Sequence, residues 1–181
     1  IGSYMILDNF VIVAVPLFIM LSKILSIGEI GSYLFETANS FLRHLPGGLG
    51  VTTIAACAIF AAISGSAVAT VAAIGMISIP EMLNRGYSRP LTYGAAAIGG
   101  VLGPLIPPSI HMILIASITG DSVGKLFLAG AIPGIILTII FSAYIIVYSM
   151  IGKNLERVAP APWKVRLALV KKSFFGLMAP V

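Results

Sequence analysis

The sequence predicts an all-α integral membrane protein of several spans, in which one apolar block re-enters as a helical hairpin and another is a helix broken by proline. Three observations lead there. Hydrophobic residues make up 59% of the 181 and charged residues only 9%, a balance far from that of soluble domains. Several apolar runs reach the roughly 20 residues that a helix needs to cross a bilayer. The 19 Gly and 11 Pro argue for interrupted helices, because both residues weaken a helix unless its neighbours re-satisfy the freed backbone groups.

The first span is expected over Phe10–Ile27, with Pro16 inside it and Asp8-Asn9 at its mouth. Ile1 is not a start residue and no basic flank precedes this run, so no cleavable signal peptide is expected and the sequence reads as part of a longer chain. Between Ile30 and Leu45 the apolar residues Ile30, Leu34, Phe35, Ala38, Phe41, Leu42 and Leu45 recur at spacings of three and four. Glu36, Asn39 and Arg43 fall between them, which predicts an amphipathic helix lying along the interface.

"HLPGG" ends that helix, and the apolar block Leu49–Ile79 follows, with Ser64-Gly65-Ser66 near its centre. It is either one long span or a hairpin of two half-length helices with its tip at Ser64–Ser66. Lys and Arg concentrate in cytoplasmic loops, and this block is flanked by Arg43 on one side and by Arg85 and Arg89 on the other. Two cytoplasmic flanks require re-entry, which favours the hairpin. Glu81, just after Pro80, reads as the cap of a helix start.

The block Leu91–Ile118 is broken at "GPLIPPS", where Pro104, Pro107 and Pro108 lack an amide hydrogen and clash with the preceding turn. A short loop carrying Asp121 as a turn residue leads to the last full span, Leu126–Ile151. Residues 153–172 hold six of the eleven basic residues. That stretch is the strongest cytoplasmic signal and reads as a topology determinant touching anionic lipid, with no nucleic-acid partner. Lys171-Lys172 then lead into "SFFGLMAPV", which reads as the start of a further span. Cys57 stands alone in an apolar run, which excludes an intrachain disulfide and reads as packing.

The two interruptions free backbone groups at membrane depth, which is tolerated only where they are buried in protein or line a polar cavity, so they are expected to face each other. Broken half-helices offer positive ends to anions and unwound carbonyls to small cations, the usual construction of a secondary-transporter site. Ser64, Ser66, Ser109 and Thr119 would add hydroxyl oxygens. Hard oxygen donors without a carboxylate suit sodium better than calcium or magnesium. His111 is a candidate titratable group or a hydrogen-bonded structural residue.

The segments "SGSAVATVAAIG", "IPEMLNRGY", "GPLIPPS" and "GDSVGKLFLAGAIPG", in this order, together with "VPLFIMLSKIL" and "LRHLPGGL", resemble the large membrane subunit of the tripartite ATP-independent periplasmic (TRAP) transporters. The resemblance covers about Asn9 to Ile151. It implies the first of two inverted repeats of an elevator-type transporter, each a hairpin followed by a broken helix. It further implies one sodium ion held by Ser64, Gly65, Ser66, Gly103, Pro104, Pro107, Pro108 and Ser109. A second sodium site and the rest of the substrate cavity would lie beyond Val181. On this basis residues 1–48 would be a scaffold span and arm helix, 49–123 the hairpin and broken helix of the transport domain, and 124–181 a scaffold span, a basic loop and the start of another span.

The implied activity is sodium-coupled import of organic acids across the bacterial inner membrane, without enzymatic chemistry or a bound cofactor other than the coupling ion. The implied partners are a small membrane subunit, a periplasmic substrate-binding protein, the bilayer and an organic anion such as a dicarboxylate or a sialic-acid-like sugar. This chain has His111 where the family often has Pro after "PPSI". Two alternatives stand beside this reading. One is a stand-alone sodium/dicarboxylate symporter. The other is an intramembrane serine hydrolase using Ser64 or Ser66 with His111 as base, for which one midmembrane histidine and no enzyme signature offer little.

Overall fold

The computed structural model describes residues 16–17, 19–21, 23–24, 29–151, 159 and 161–178. Of the predicted first span, the described residues are helical and the rest lie outside the described set. Seven helices follow among the described residues: α1 (Ile30–Leu42), α2 (Gly48–Ser64), α3 (Ala67–Asn84), α4 (Arg89–Val101), α5 (Ile110–Thr119), α6 (Val123–Ile151) and α7 (Trp163–Met178).

Helices α2 and α3 form an antiparallel hairpin. Near the start of α2, the Thr53 hydroxyl lies 3.5 Å from Met82 Sδ in the last turn of α3, and the Leu49 amide donates to the Tyr87 phenol at 3.3 Å. The two ends of the block therefore lie together, at a base from which Arg43 and Arg85 both emerge. Burial pushes the Tyr87 phenol above its ordinary pKa, opposed by the Leu49 amide and by Arg85, so it accepts that bond as a neutral group. At the opposite end the turn is two residues long, Gly65 and Ser66. Gly65 sits in the left-handed region at φ 61°, and its amide closes α2 on the Ala61 carbonyl at 2.9 Å. Ser66 is extended and caps α3, its hydroxyl accepting from the Ala69 amide at 3.4 Å.

The arms have 17 and 18 residues, about 25 and 27 Å of helix, and are longer than the half-length helices expected. The difference lies at the exit. Helix α3 continues through Pro80 to Asn84, so Glu81 is not a cap but part of the last turn, paired with Arg85 one turn on at 2.7 Å.

Helix α4 returns along the hairpin from base to tip, because Gly99 lies against Cys57, Gly100 against Val71 and Gly103 against Ser66 and Ala67. The predicted break then occupies Leu102–Ser109, a run of turns with a cis Pro107-Pro108 bond, before α5 resumes.

Helix α6 serves as a ruler for depth. Its 29 residues measure about 43 Å, enough to cross a bilayer with some tilt. Gly130 and Gly134 lie against Leu105 and Ile106 of the break, whereas Ile145 and Ser149 lie against Gly50 and Gly47 at the hairpin base. The fifteen residues from Gly134 to Ser149 correspond to about 22 Å, and seven more extend past Gly130, which also lies against the break, to Val123, about 10 Å. The hairpin tip, docked on the break, therefore stops well short of the far end of α6. Ala67–Asn84 is long and apolar enough to cross a membrane by itself, and here it forms the second arm of the hairpin.

Only Gly130, Gly134, Ile145 and Ser149 of α6 are buried, and residues such as Leu128, Ile132, Ile139 and Val147 are exposed. A helix apolar on all sides and so little covered requires a nonpolar surrounding. On α1 the residues of the predicted stripe, Ile30, Leu34, Phe35 and Ala38, are buried, and the helix packs on α2, α3 and α7. The apolar face meets protein, where lipid was expected.

The basic stretch is not wholly a loop. Helix α7 begins at Trp163 and carries Lys164, Arg166, Lys171 and Lys172. It is tied to α1 by the Ser173 hydroxyl, which donates to the Tyr33 carbonyl at 3.0 Å and lies 2.6 Å from the Thr37 hydroxyl. Arg166 stacks over Phe41 and Trp163, and Lys172 over Tyr33, so aromatic faces of α1 and of α7 itself take up these cations.

A candidate ion site where four helix ends meet

Four helix ends converge where the hairpin tip meets the break. The C-terminal ends of α2 and α4 bring carbonyl oxygens with partial negative charge, and the N-terminal ends of α3 and α5 bring partial positive charge. The approach is backbone to backbone. A Cβ placed on Gly103 would lie 2.6 Å from the Ala67 nitrogen and 2.7 Å from the Ser66 carbonyl carbon. One placed on Gly65 would collide with the Pro108 carbonyl oxygen and lie 3.3 Å from Ser109 Cα. Both interruptions therefore belong to one place, as the backbone argument from sequence requires.

Of the expected site residues, Ser64, Gly65, Gly103 and Ser109 are buried, and Ser66, Pro104, Pro107 and Pro108 are half-buried. The Ser64 hydroxyl lies 3.3 Å from the Thr70 hydroxyl and accepts from the Ser66 amide at 3.5 Å, while Thr70 donates to the Ser66 carbonyl at 2.7 Å. Thr70 belongs to this cluster, fully buried, and the sequence reading missed it. The available signal was its position four residues after Ser66, one turn into α3.

Ser109 is fully buried and its hydroxyl has no hydrogen-bond partner. An unpartnered buried hydroxyl costs about 1–3 kcal/mol, which a cation ligand would offset. The donor set of the Ser64 and Ser109 hydroxyls with the Pro108 carbonyl is neutral and hard, which fits a monovalent cation.

Two expected contributors lie elsewhere. Thr119 is exposed at the far end of α5, bonded to the Ile115 carbonyl and accepting from the Asp121 amide. The ten residues of α5 place it about 15 Å along the helix from the break. His111 is exposed on the first turn of α5, and among the described residues no hydrogen bond joins it to a serine. His111 and the tip serines are thus not joined as the base and nucleophile of a serine hydrolase would be. A separate apolar cleft of about 200 Å³ lies between α4 and α6, with Leu91, Ala95, Ile98, Phe141 and Tyr144 among its walls. No charged side chain lines it.

Residues 3–181 match the family described as the tripartite ATP-independent periplasmic transporter, DctM component. The chain belongs to that family. It is 38% identical over 176 residues to the C4-dicarboxylate TRAP transporter large permease protein DctM of Pseudomonas aeruginosa, covering 96% of this chain and 40% of the relative. It is 36% identical over 170 residues to the ectoine TRAP transporter large permease protein TeaC of Halomonas elongata, covering 94% and 40%. It is 35% identical over 176 residues to the sialic acid TRAP transporter permease protein SiaT of Haemophilus influenzae, covering 97% and 28%. These relatives are named as permease proteins, not enzymes. The chain thus spans less than half the length of each relative.

Proposed function

We propose that this chain supplies one half of the membrane permease of a sodium-coupled tripartite transporter that imports organic acids across the bacterial inner membrane. The observation that carries the proposal is the docking of the hairpin tip onto the broken helix around fully buried hydroxyls, one of them unpartnered. Sodium would bind among the hydroxyls of Ser64, Ser66 and Ser109 and the carbonyl of Pro108, close to the negative ends of α2 and α4. The positive ends of α3 and α5 would favour an anionic substrate group beside it.

In this reading residues 49–123 move as part of a transport domain against a scaffold that includes α1 and α6, in the manner of an elevator. The partners are a small membrane subunit and a periplasmic binding protein that delivers the substrate. The relatives are named for C4-dicarboxylate, ectoine and sialic acid, so the substrate class is a small polar acid or zwitterion.

The test is uptake of labelled organic acids into proteoliposomes holding the full-length parent of this chain with its small subunit. A sodium gradient and the binding protein are each supplied or withheld. Uptake requiring both is the expected result. Sodium-driven uptake indifferent to the binding protein would instead make the protein a stand-alone symporter, and uptake indifferent to sodium would overturn the ion-coupled reading.

A further inference from the structure

We infer that Thr70 is a positioning residue that turns the hydroxyl of Ser64 into a cation ligand. The inference rests on the sodium reading above and deepens it. A hydroxyl carries one hydrogen and two lone pairs. The Thr70 hydrogen is committed to the Ser66 carbonyl at 2.7 Å, since a carbonyl can only accept. In the 3.3 Å pair between the Ser64 and Thr70 hydroxyls, Ser64 must therefore be the donor. With its hydrogen held by Thr70, the Ser64 oxygen has only lone pairs left to offer. One accepts from the Ser66 amide at 3.5 Å, and the other is free for a ligand.

A cation is repelled by an O–H hydrogen and bound by a lone pair, so the Thr70 relay decides whether Ser64 is a ligand or an obstacle. The same bond draws the Ser66 carbonyl, at the turn itself, toward the first turn of α3, which fixes the geometry of the tip. Both partners are fully buried, so water does not offer Ser64 an alternative acceptor. The relay differs from the ordinary role of a helix threonine, which bonds back to a carbonyl one turn earlier and packs. Here that carbonyl belongs to the cap residue of the tip, and a second hydroxyl depends on the arrangement.

The test uses the full-length transporter with its partners in proteoliposomes and reads the sodium concentration for half-maximal uptake. Thr70→Val keeps the volume and removes the relay, whereas Thr70→Ser keeps the hydroxyl. The expected result is a rise of about tenfold in half-saturating sodium for Thr70→Val, the equivalent of one oriented hydrogen bond, with the maximal rate at saturating sodium retained. Thr70→Ser should stay within about twofold of the parent. In a Ser64→Ala background, Thr70→Val should add no further shift, because the ligand it orients is already gone.

A merely structural threonine would instead lower the maximal rate or the yield and leave half-saturating sodium unmoved. It would also act independently of Ser64. Either result overturns the inference. If Ser64→Ala shifts the sodium dependence and Thr70→Val does not, the relay is refuted while the sodium site stands. If Ser64→Ala, Ser109→Ala and Thr70→Val all leave it unchanged, the sodium reading itself fails. Should Thr70→Val not accumulate, Thr70→Ala carries the same comparison.

Discussion

Substituting Gly103 by Ala probes the docking of hairpin tip and break with a single methyl group. The new Cβ would sit 2.6 Å from the Ala67 nitrogen, 2.7 Å from the Ser66 carbonyl carbon and 2.9 Å from Ala67 Cα. All three are backbone atoms at the start of a helix, and none can rotate away. Gly103 does not occupy the left-handed region, so the cost is steric rather than conformational. Restoring ordinary contact requires the tip and break to separate by about 1 Å, and forced overpacking of this kind costs about 1–3 kcal/mol. A factor of about 5 to 150 in the docked population follows.

Ligand distances in an ion site tolerate only about 0.2 Å, so the separation removes donors from one side of the ion. Half-saturating sodium in an uptake assay should rise about fivefold or more, with protein still recovered from the membrane. Gly94→Ala on the same helix is the control, because nothing lies within 4 Å of its added Cβ, and replacing a helical glycine by alanine is neutral or favourable. An unaltered sodium titration in Gly103→Ala would refute the docked geometry.

Other substitutions test the remaining parts of the account. Single cysteines at His44, Gly86 and Asp121, labelled with a membrane-impermeant maleimide, should react from one side for positions 44 and 86 and from the opposite side for 121; reaction of 44 and 86 from opposite sides would exclude the re-entrant hairpin. Gly47→Ala should destabilise the protein by about 2–4 kcal/mol, since Gly47 holds φ 66° and its Cβ would collide with the Ser149 hydroxyl. In a thermal-unfolding assay, adding Ser149→Ala should recover part of that loss, and no recovery would place the strain elsewhere. His111→Gln should leave the pH profile of uptake unchanged, because the side chain is exposed and unbonded to the hydroxyl cluster. A displaced profile would make His111 part of the transport cycle.

The parts of this fold legible in the sequence are those specified by local chemistry. Ser64-Gly65-Ser66 announces a turn because glycine alone enters the left-handed region freely and serine caps the next helix, and both happen there. Pro104, Pro107 and Pro108 announce the break because they cannot donate to a helix. The amphipathic stripe of α1 identified its buried face correctly, since a spacing of three and four marks a face whatever covers it.

What covers it was not legible, because protein and lipid are equally apolar partners. The helix across the basic stretch was hidden for a related reason. Four cations read as a loop until the faces of Phe41, Trp163 and Tyr33 are found stacked against two of them. Thr70 was overlooked because a threonine in an apolar run is ordinarily satisfied by its own helix, and its importance comes from where the Ser66 carbonyl and the Ser64 hydroxyl lie in space. Pro80 misled in the opposite direction, since its rule for ending helices is a tendency that α3 overrides for one more turn.

The most direct measurement is the number of sodium ions bound by the purified full-length transporter, determined with radioactive sodium at equilibrium. The parent is compared with the Ser64→Ala/Ser109→Ala double variant. If the hairpin tip and the break form one ion site, the variant binds one sodium fewer per transporter at concentrations that saturate the parent. An identical stoichiometry and affinity in the two proteins would contradict that central claim.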